Sequence, residues 1–150
     1  MSPVQMVDIG SKEDQFRKAK VVGRITLHSE TIEKIKSNSI EKGDVKSCAQ
    51  IAGILSAKKT SEIVPLCHPI PITNVSIELE IEGNDVIVTS EVSAIAKTGV
   101  EMEALTAVSS ALLTVWDMTK KHEKDEKGQY PSTTITGIRV VSKTKESKNT

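Results

Sequence analysis

Aromatic residues are nearly missing: Phe16, Trp116 and Tyr130 are the only three in 150 residues. Their scarcity removes the stacking platforms on which single-stranded nucleic acid is usually held. Neither charge sign is in excess, since 20 Lys and Arg balance 20 Asp and Glu, so no basic field draws a polyanion. Nucleic acid is therefore not an expected partner. No stretch approaches the ~20 apolar residues of a membrane span, so no membrane is expected either. The opening Met1-Ser2-Pro3-Val4-Gln5 lacks a basic region followed by an apolar core, and no secretory signal is expected. Only two cysteines occur, Cys48 and Cys67, with no CxxC spacing. They read as reduced thiols of a cytoplasmic protein. With three histidines beside them, a four-ligand structural zinc site is not expected.

What remains is an aliphatic, well-charged chain of one-domain size. Residues 1–13 are polar and read as a flexible N-terminal segment, 14–141 as a single domain, and 142–150 as a lysine-rich tail. Val21, Val22, Ile25 and Leu27 suggest a strand over 20–28. Ser29-Glu30-Thr31 opens a short helix to Lys36. After a turn at Lys42-Gly43-Asp44, the spacing of Val45, Cys48, Ala49, Ala52 and Leu55 predicts a helix over 45–60, with Asp44 as its N-cap. Val75, Ile77, Leu79 and Ile81 alternate with polar residues, as do Val86, Val88 and Val92 across the turn Glu82-Gly83-Asn84-Asp85, which predicts a β-hairpin. A long helix from Thr98 to about Lys121 and a strand over 135–141 complete the order β-α-α-β-β-α-β. That order suits an α+β, ferredoxin-like split βαβ fold, with an antiparallel sheet and helices on one face.

Three segments could carry chemistry. Pro65-Leu66-Cys67-His68-Pro69-Ile70-Pro71 places three prolines in seven residues, and each fixes its φ and restricts the residue before it. A stiff loop holding an imidazole suits a preorganised site, although a rigid crossover with a surface histidine would read the same. Lys42, Lys58, Lys59 and Arg24 could hold phosphate as point charges, or simply be solvated. On the long helix, Glu103, Thr106, Ser110, Thr114 and Asp117 fall within about 60° of one another at 100° per residue. This polar stripe of hydroxyls and small residues suggests a face turned to a cleft or another subunit. Glu101 falls on the apolar side, where Thr98-x-x-Glu101 has the spacing of a capping box. Asp117 with Lys120 three residues on is either an ordinary helix ion pair or an acid/base pair.

Several blocks resemble a known family. Lys42-Gly-Asp-Val45, Gln50-Ile-Ala-Gly-Ile54, Ala57 through Pro69, Thr98 through Ser109 and Asp117-Met-Thr-Lys120 are similar to the cyclic pyranopterin monophosphate synthases, the C accessory proteins of molybdenum cofactor biosynthesis. The resemblance runs from about Met6 to Val141. It implies a lyase that converts cyclised dihydro-GTP into cyclic pyranopterin monophosphate and pyrophosphate. It implies a ferredoxin-like fold and a homohexamer built as a trimer of dimers, with the site at a dimer interface. No redox cofactor is implied, and magnesium would enter only with the triphosphate. By the same resemblance Asp117, Lys120, His68 and Lys42 are catalytic. Leu66, Cys67, His68, Met102, Glu103 and Glu101 would contact substrate, and Lys42, Lys58 and Arg17 would neutralise its triphosphate. Glu101 and Glu103 lie about 200° apart on a regular helix, so both reach one cleft only at a helix start or across an interface. The family's glycine-rich tail is absent here. The competing reading is a ferredoxin-like module that binds a small anionic ligand without chemistry. It leaves the stiff Cys-His-Pro loop and the Asp117-Lys120 pair without a purpose.

Overall fold

A computed structural model describes residues 2–147. The chain runs β1 (Gln15–Thr26), α1 (Ser29–Lys36), α2 (Val45–Lys58), α3 (Thr60–Ile63), β2 (Ile72–Glu82), β3 (Asp85–Ala96), α4 (Glu101–Glu123) and β4 (Thr134–Ser147). The strands form one sheet in the order β2-β3-β1-β4, with every neighbouring pair antiparallel. This is the expected ferredoxin-like α+β arrangement.

Alternation decides which face of the sheet the helices cover. Ala19, Val21 and Ile25 of β1 and Val86, Val88, Val92 and Ala94 of β3 are buried beneath them. Their outward neighbours Lys20 and Arg24 are exposed. The helices approach closely because their facing residues are small. Ala49, Gly53 and Ala57 of α2 meet Ala104, Ala107 and Ala111 of α4, all buried. A Cβ on Gly53 would sit 3.1 Å from the Ala107 carbonyl oxygen. Lys42, just ahead of α2, reaches Asp117 near the far end of α4, so the two helices run antiparallel.

The hairpin and α1 form as expected, and Asp44 caps α2, its Oδ1 accepting from the Ser47 N–H at 3.1 Å. Other boundaries differ. β1 begins at Gln15 rather than Lys20, because Arg17 turns inward and its guanidinium donates to the Ala96 and Lys97 carbonyls. β4 continues past Val141 to Ser147, pairing Lys143 with Ala19 and Lys145 with Arg17. The expected tail from 142 is therefore strand as far as Ser147, and residues 148–150 lie outside the described residues. Two register shifts interrupt β1–β4 pairing, one beside Gly137 at φ 67°, as suits a bulged edge strand.

The C-terminus of α4 is pinned by a carboxylate. Glu123 is fully buried and accepts from the His28 backbone N–H at 3.0 Å, from Thr133 Oγ1 at 2.6 Å and from Thr31 Oγ1. It ties α1 and the approach to β4 onto the helix. Removing it strands two buried hydroxyls and a part-buried amide, and each unsatisfied group costs about 1–3 kcal/mol. Glu123→Ala is expected to lower unfolding stability by about 3–5 kcal/mol. Urea denaturation checks this, and a loss below 1 kcal/mol would contradict it.

Candidate active site

The expected site residues fall into two groups at opposite ends of α4. The first lies at its N-terminus. Leu66, Cys67 and His68, from the proline-stiffened loop, line a cavity of about 410 Å³ with Thr98, Gly99, Glu101 and Met102. Behind Cys67 lies Glu103, 2% exposed, with its Oε2 3.9 Å from the Cys67 thiol. Burial, and after it the charge of Glu101, push the Glu103 carboxyl above the ordinary carboxylate range. Burial also raises the Cys67 thiol, with Glu103 and Glu101 adding to it. This thiol is accordingly a proton-bearing donor, and a nucleophilic thiolate is disfavoured.

Two expectations about this end are corrected. The capping box does not form: α4 starts at Glu101, and its N-cap Val100 makes no side-chain cap. Glu101 instead folds back over Gly99, where a Cβ would lie 2.2 Å from its Oε2, and its Oε1 accepts from Lys143 at 3.4 Å. The two glutamates also exchange surroundings. Glu103 is the buried one, although helical phase placed it on the polar stripe, because the loop through Cys67 overhangs the first turn. Glu101 is partly exposed. Both bear on Cys67, so the helix start does what a regular helix could not. Among the described residues, Glu101 Oε2 and Glu103 Oε1 are buried with no hydrogen-bond partner.

The second group lies near the other end of α4. Asp117 accepts from Lys42 Nζ (Oδ2, 2.9 Å) and from Lys120 Nζ (Oδ1, 2.9 Å). Lys42 also donates to the Asp117 carbonyl at 3.1 Å. The Lys42 and Lys120 ammonium groups hold the Asp117 carboxyl below its usual range, and Asp117 in turn raises Lys120. Asp117 and Lys120 border an open groove with Leu113, Trp116, Tyr130 and Ile135. Trp116 and Tyr130 meet edge-to-face there at 5.1 Å.

The fourteen residue steps from Glu103 to Asp117 separate the two groups by about 21 Å along the helix. The cations expected to meet the triphosphate divide the same way. Lys58 is exposed at the C-terminal end of α2, beside the cavity end of α4, whereas Lys42 stands about 20 Å away, ahead of its N-terminal end. Arg17, 7% exposed, grips the strand leading to the Thr98-Gly99 turn and does not line the cavity.

Sequence reasoning missed several cavity residues: Gln5, Val7, Ile9 and Lys12, from the segment read only as flexible. Two of the three aromatics, Trp116 and Tyr130, meet beside Asp117. The adjacency of Trp116 to Asp117 was the available signal. Among the described residues no three His, Cys, Asp or Glu side chains converge as metal ligands.

The model of the MoaC family matches residues 6–146. The chain belongs to the MoaC family. Relatives in this family include a probable cyclic pyranopterin monophosphate synthase of Pyrococcus furiosus, 59% identical over 146 residues, spanning 97% of this chain and 94% of the relative. A protein of the same name from Sulfurisphaera tokodaii is 58% identical over 145 residues, 97% of this chain and 96% of its own length. A third, from Thermococcus kodakarensis, is 59% identical over 142 residues, 95% and 91% respectively. Membership of the MoaC family thus covers both ends of α4 and nearly all of the described fold.

Proposed function

We propose that this protein is a cyclic pyranopterin monophosphate synthase. It is a lyase of molybdenum cofactor biosynthesis that converts cyclised dihydro-GTP into cyclic pyranopterin monophosphate and pyrophosphate. Beyond family membership, the observation that carries this reading is the sorting of candidate residues onto the two ends of α4. Each end has the chemistry for one part of such a substrate.

The cavity end offers buried carboxylate oxygens, a thiol and an imidazole, which suit the N–H-rich edge of a guanine-derived ring. The lysine end suits phosphates. Making a cyclic monophosphate from a triphosphate requires a substrate hydroxyl oxygen to attack the α-phosphorus. The bond from that phosphorus to the bridging oxygen breaks, and pyrophosphate leaves with the electron pair. Lys42 and Lys120 stabilise the charge developing on it. Asp117 first serves as the carboxylate that aims both lysines. It becomes a competent proton acceptor once they turn to the phosphates and its basicity recovers. His68, whose ring makes no hydrogen bond among the described residues, shuttles protons at the ring system.

Because about 21 Å of helix separates the two ends, one working site joins the cavity end of one copy to the lysine end of another. The protein then works as a homo-oligomer, a hexamer built as a trimer of dimers, in the cytoplasm. Exposed Met102 and Leu113 on α4, with Ile138 and Val140 on β4, give a second copy apolar surface to cover. No redox cofactor takes part, and magnesium enters only as a counter-ion of the triphosphate.

The test is direct. Purified protein incubated with cyclised dihydro-GTP is expected to release pyrophosphate and form the pterin product in equal amounts. Binding of the substrate without pyrophosphate release would reduce the protein to an anion-binding module.

A further inference from the structure

The direction in which Lys42 points is set by a turn. This lysine belongs to no helix or strand, but to the turn over 37–44, where Asn38 has φ 52° and Gly43 φ 111°. The turn is anchored behind by buried Ile40 and ahead by the Asp44 cap. Lysine is long and rich in rotamers, so its direction depends on where the turn places its backbone. One residue earlier, Glu41 reaches the same helix: its Oε2 accepts from His122 Nε2 at 2.8 Å, with Lys121 Nζ 4.0 Å from Oε1. The His122 side chain is only 15% exposed. Consecutive turn residues thus grip α4 at two points, Asp117 and His122, about 7.5 Å apart along its axis.

We infer that Glu41 and His122 are positioning residues, a clasp that docks the 37–44 turn on α4 so that the Lys42 ammonium stands at Asp117. The inference rests on the reading of Lys42 as a phosphate-directed cation. The pair touches neither the cavity nor the groove, so it acts only through Lys42. A single hydrogen bond to a carboxylate whose side chain is 52% exposed adds little to folding stability, whereas a cation placed before the substrate arrives avoids a reorganisation cost during the reaction.

Steady-state pyrophosphate release by the full-length protein tests this, using Glu41→Ala, His122→Ala, Lys42→Ala and the Glu41→Ala/Lys42→Ala double variant. Each clasp variant is expected to lower kcat about tenfold while the melting temperature stays within about 2 °C of wild type. In the Lys42→Ala background, loss of Glu41 is expected to cost less than about twofold more, because the group it positions is gone. Glu41→Gln keeps an acceptor for the imidazole N–H and is expected to recover most of the rate. Clasp variants as active as wild type, or a Glu41→Ala effect undiminished without Lys42, would overturn the inference. Full activity of Lys42→Ala would show instead that the reading of Lys42 itself is wrong, and the clasp would fall with it.

Discussion

Asp117→Asn is expected to cut pyrophosphate release by about 10²–10⁴-fold, the range typical of a positioned proton-transfer group. The size follows from what the carboxylate does at rest. It accepts from Lys42 and Lys120 at 2.9 Å each, and these two ammonium groups lower its pKa. Asparagine keeps the shape but loses the charge, so two like-charged lysines would no longer share one neighbour. It also cannot take up a proton. Both losses fall on the reacting phosphates, so kcat is expected to fall much more than KM rises. The pH consequence has a definite sign. A depressed carboxyl stays ionised down to below its ordinary range, so Asp117 does not set an acid limb near neutrality. An activity loss of less than fivefold would make Asp117 an ordinary surface ion pair.

The second large effect concerns Glu103, where activity and stability are expected to move in opposite directions. Its carboxylate is buried, and one oxygen lacks any partner among the described residues. Burial raises its pKa, so the folded state disfavours its ionised form. Its contribution to stability is intact below the unfolded-state pKa and is lost as pH rises through the raised folded-state value. Glu103→Gln removes that penalty. The variant is expected to melt about 2–4 °C above wild type at neutral pH, with the gap closing below about pH 4. Turnover is expected to fall about a hundredfold, because the amide carries no charge with which to stabilise charge developing on the substrate. A variant that melts lower at neutral pH would show that the charge is stabilised by something other than substrate.

Much of this was legible in the sequence wherever the signal was local. The hairpin announced itself by alternation on both sides of Glu82-Gly83-Asn84-Asp85, and Asp44 by its place before an apolar-periodic run. β4 was cut short because its inward-phase residues beyond Val141, Lys143 and Lys145, extend past the cover of the helices and meet solvent. No apolar alternation was required of them. The first turn of α4 misled for a different reason: Thr98-x-x-Glu101 has a capping-box spacing, but Glu101 was claimed by Gly99 and Lys143. Within the site, the Asp117–Lys120 pair was visible at three residues' spacing. Its equally short contact to Lys42, 75 residues away, was not, and neither was the burial of Glu123 inside a run of charges. Long-range pairs of this kind are set by the antiparallel packing of α2 on α4, which the sequence records only as a preference for small residues.

Mixing two inactive variants tests most directly whether the two ends of α4 meet across copies. His68→Ala damages the cavity end, and Asp117→Asn the lysine end. If each site takes one end from each copy, a mixed dimer has one doubly damaged site and one intact site. Equal amounts unfolded and refolded together are then expected to regain about a quarter of wild-type turnover. If each copy carries its own complete site, every site in the mixture is damaged, and the mixture would stay as inactive as its parents.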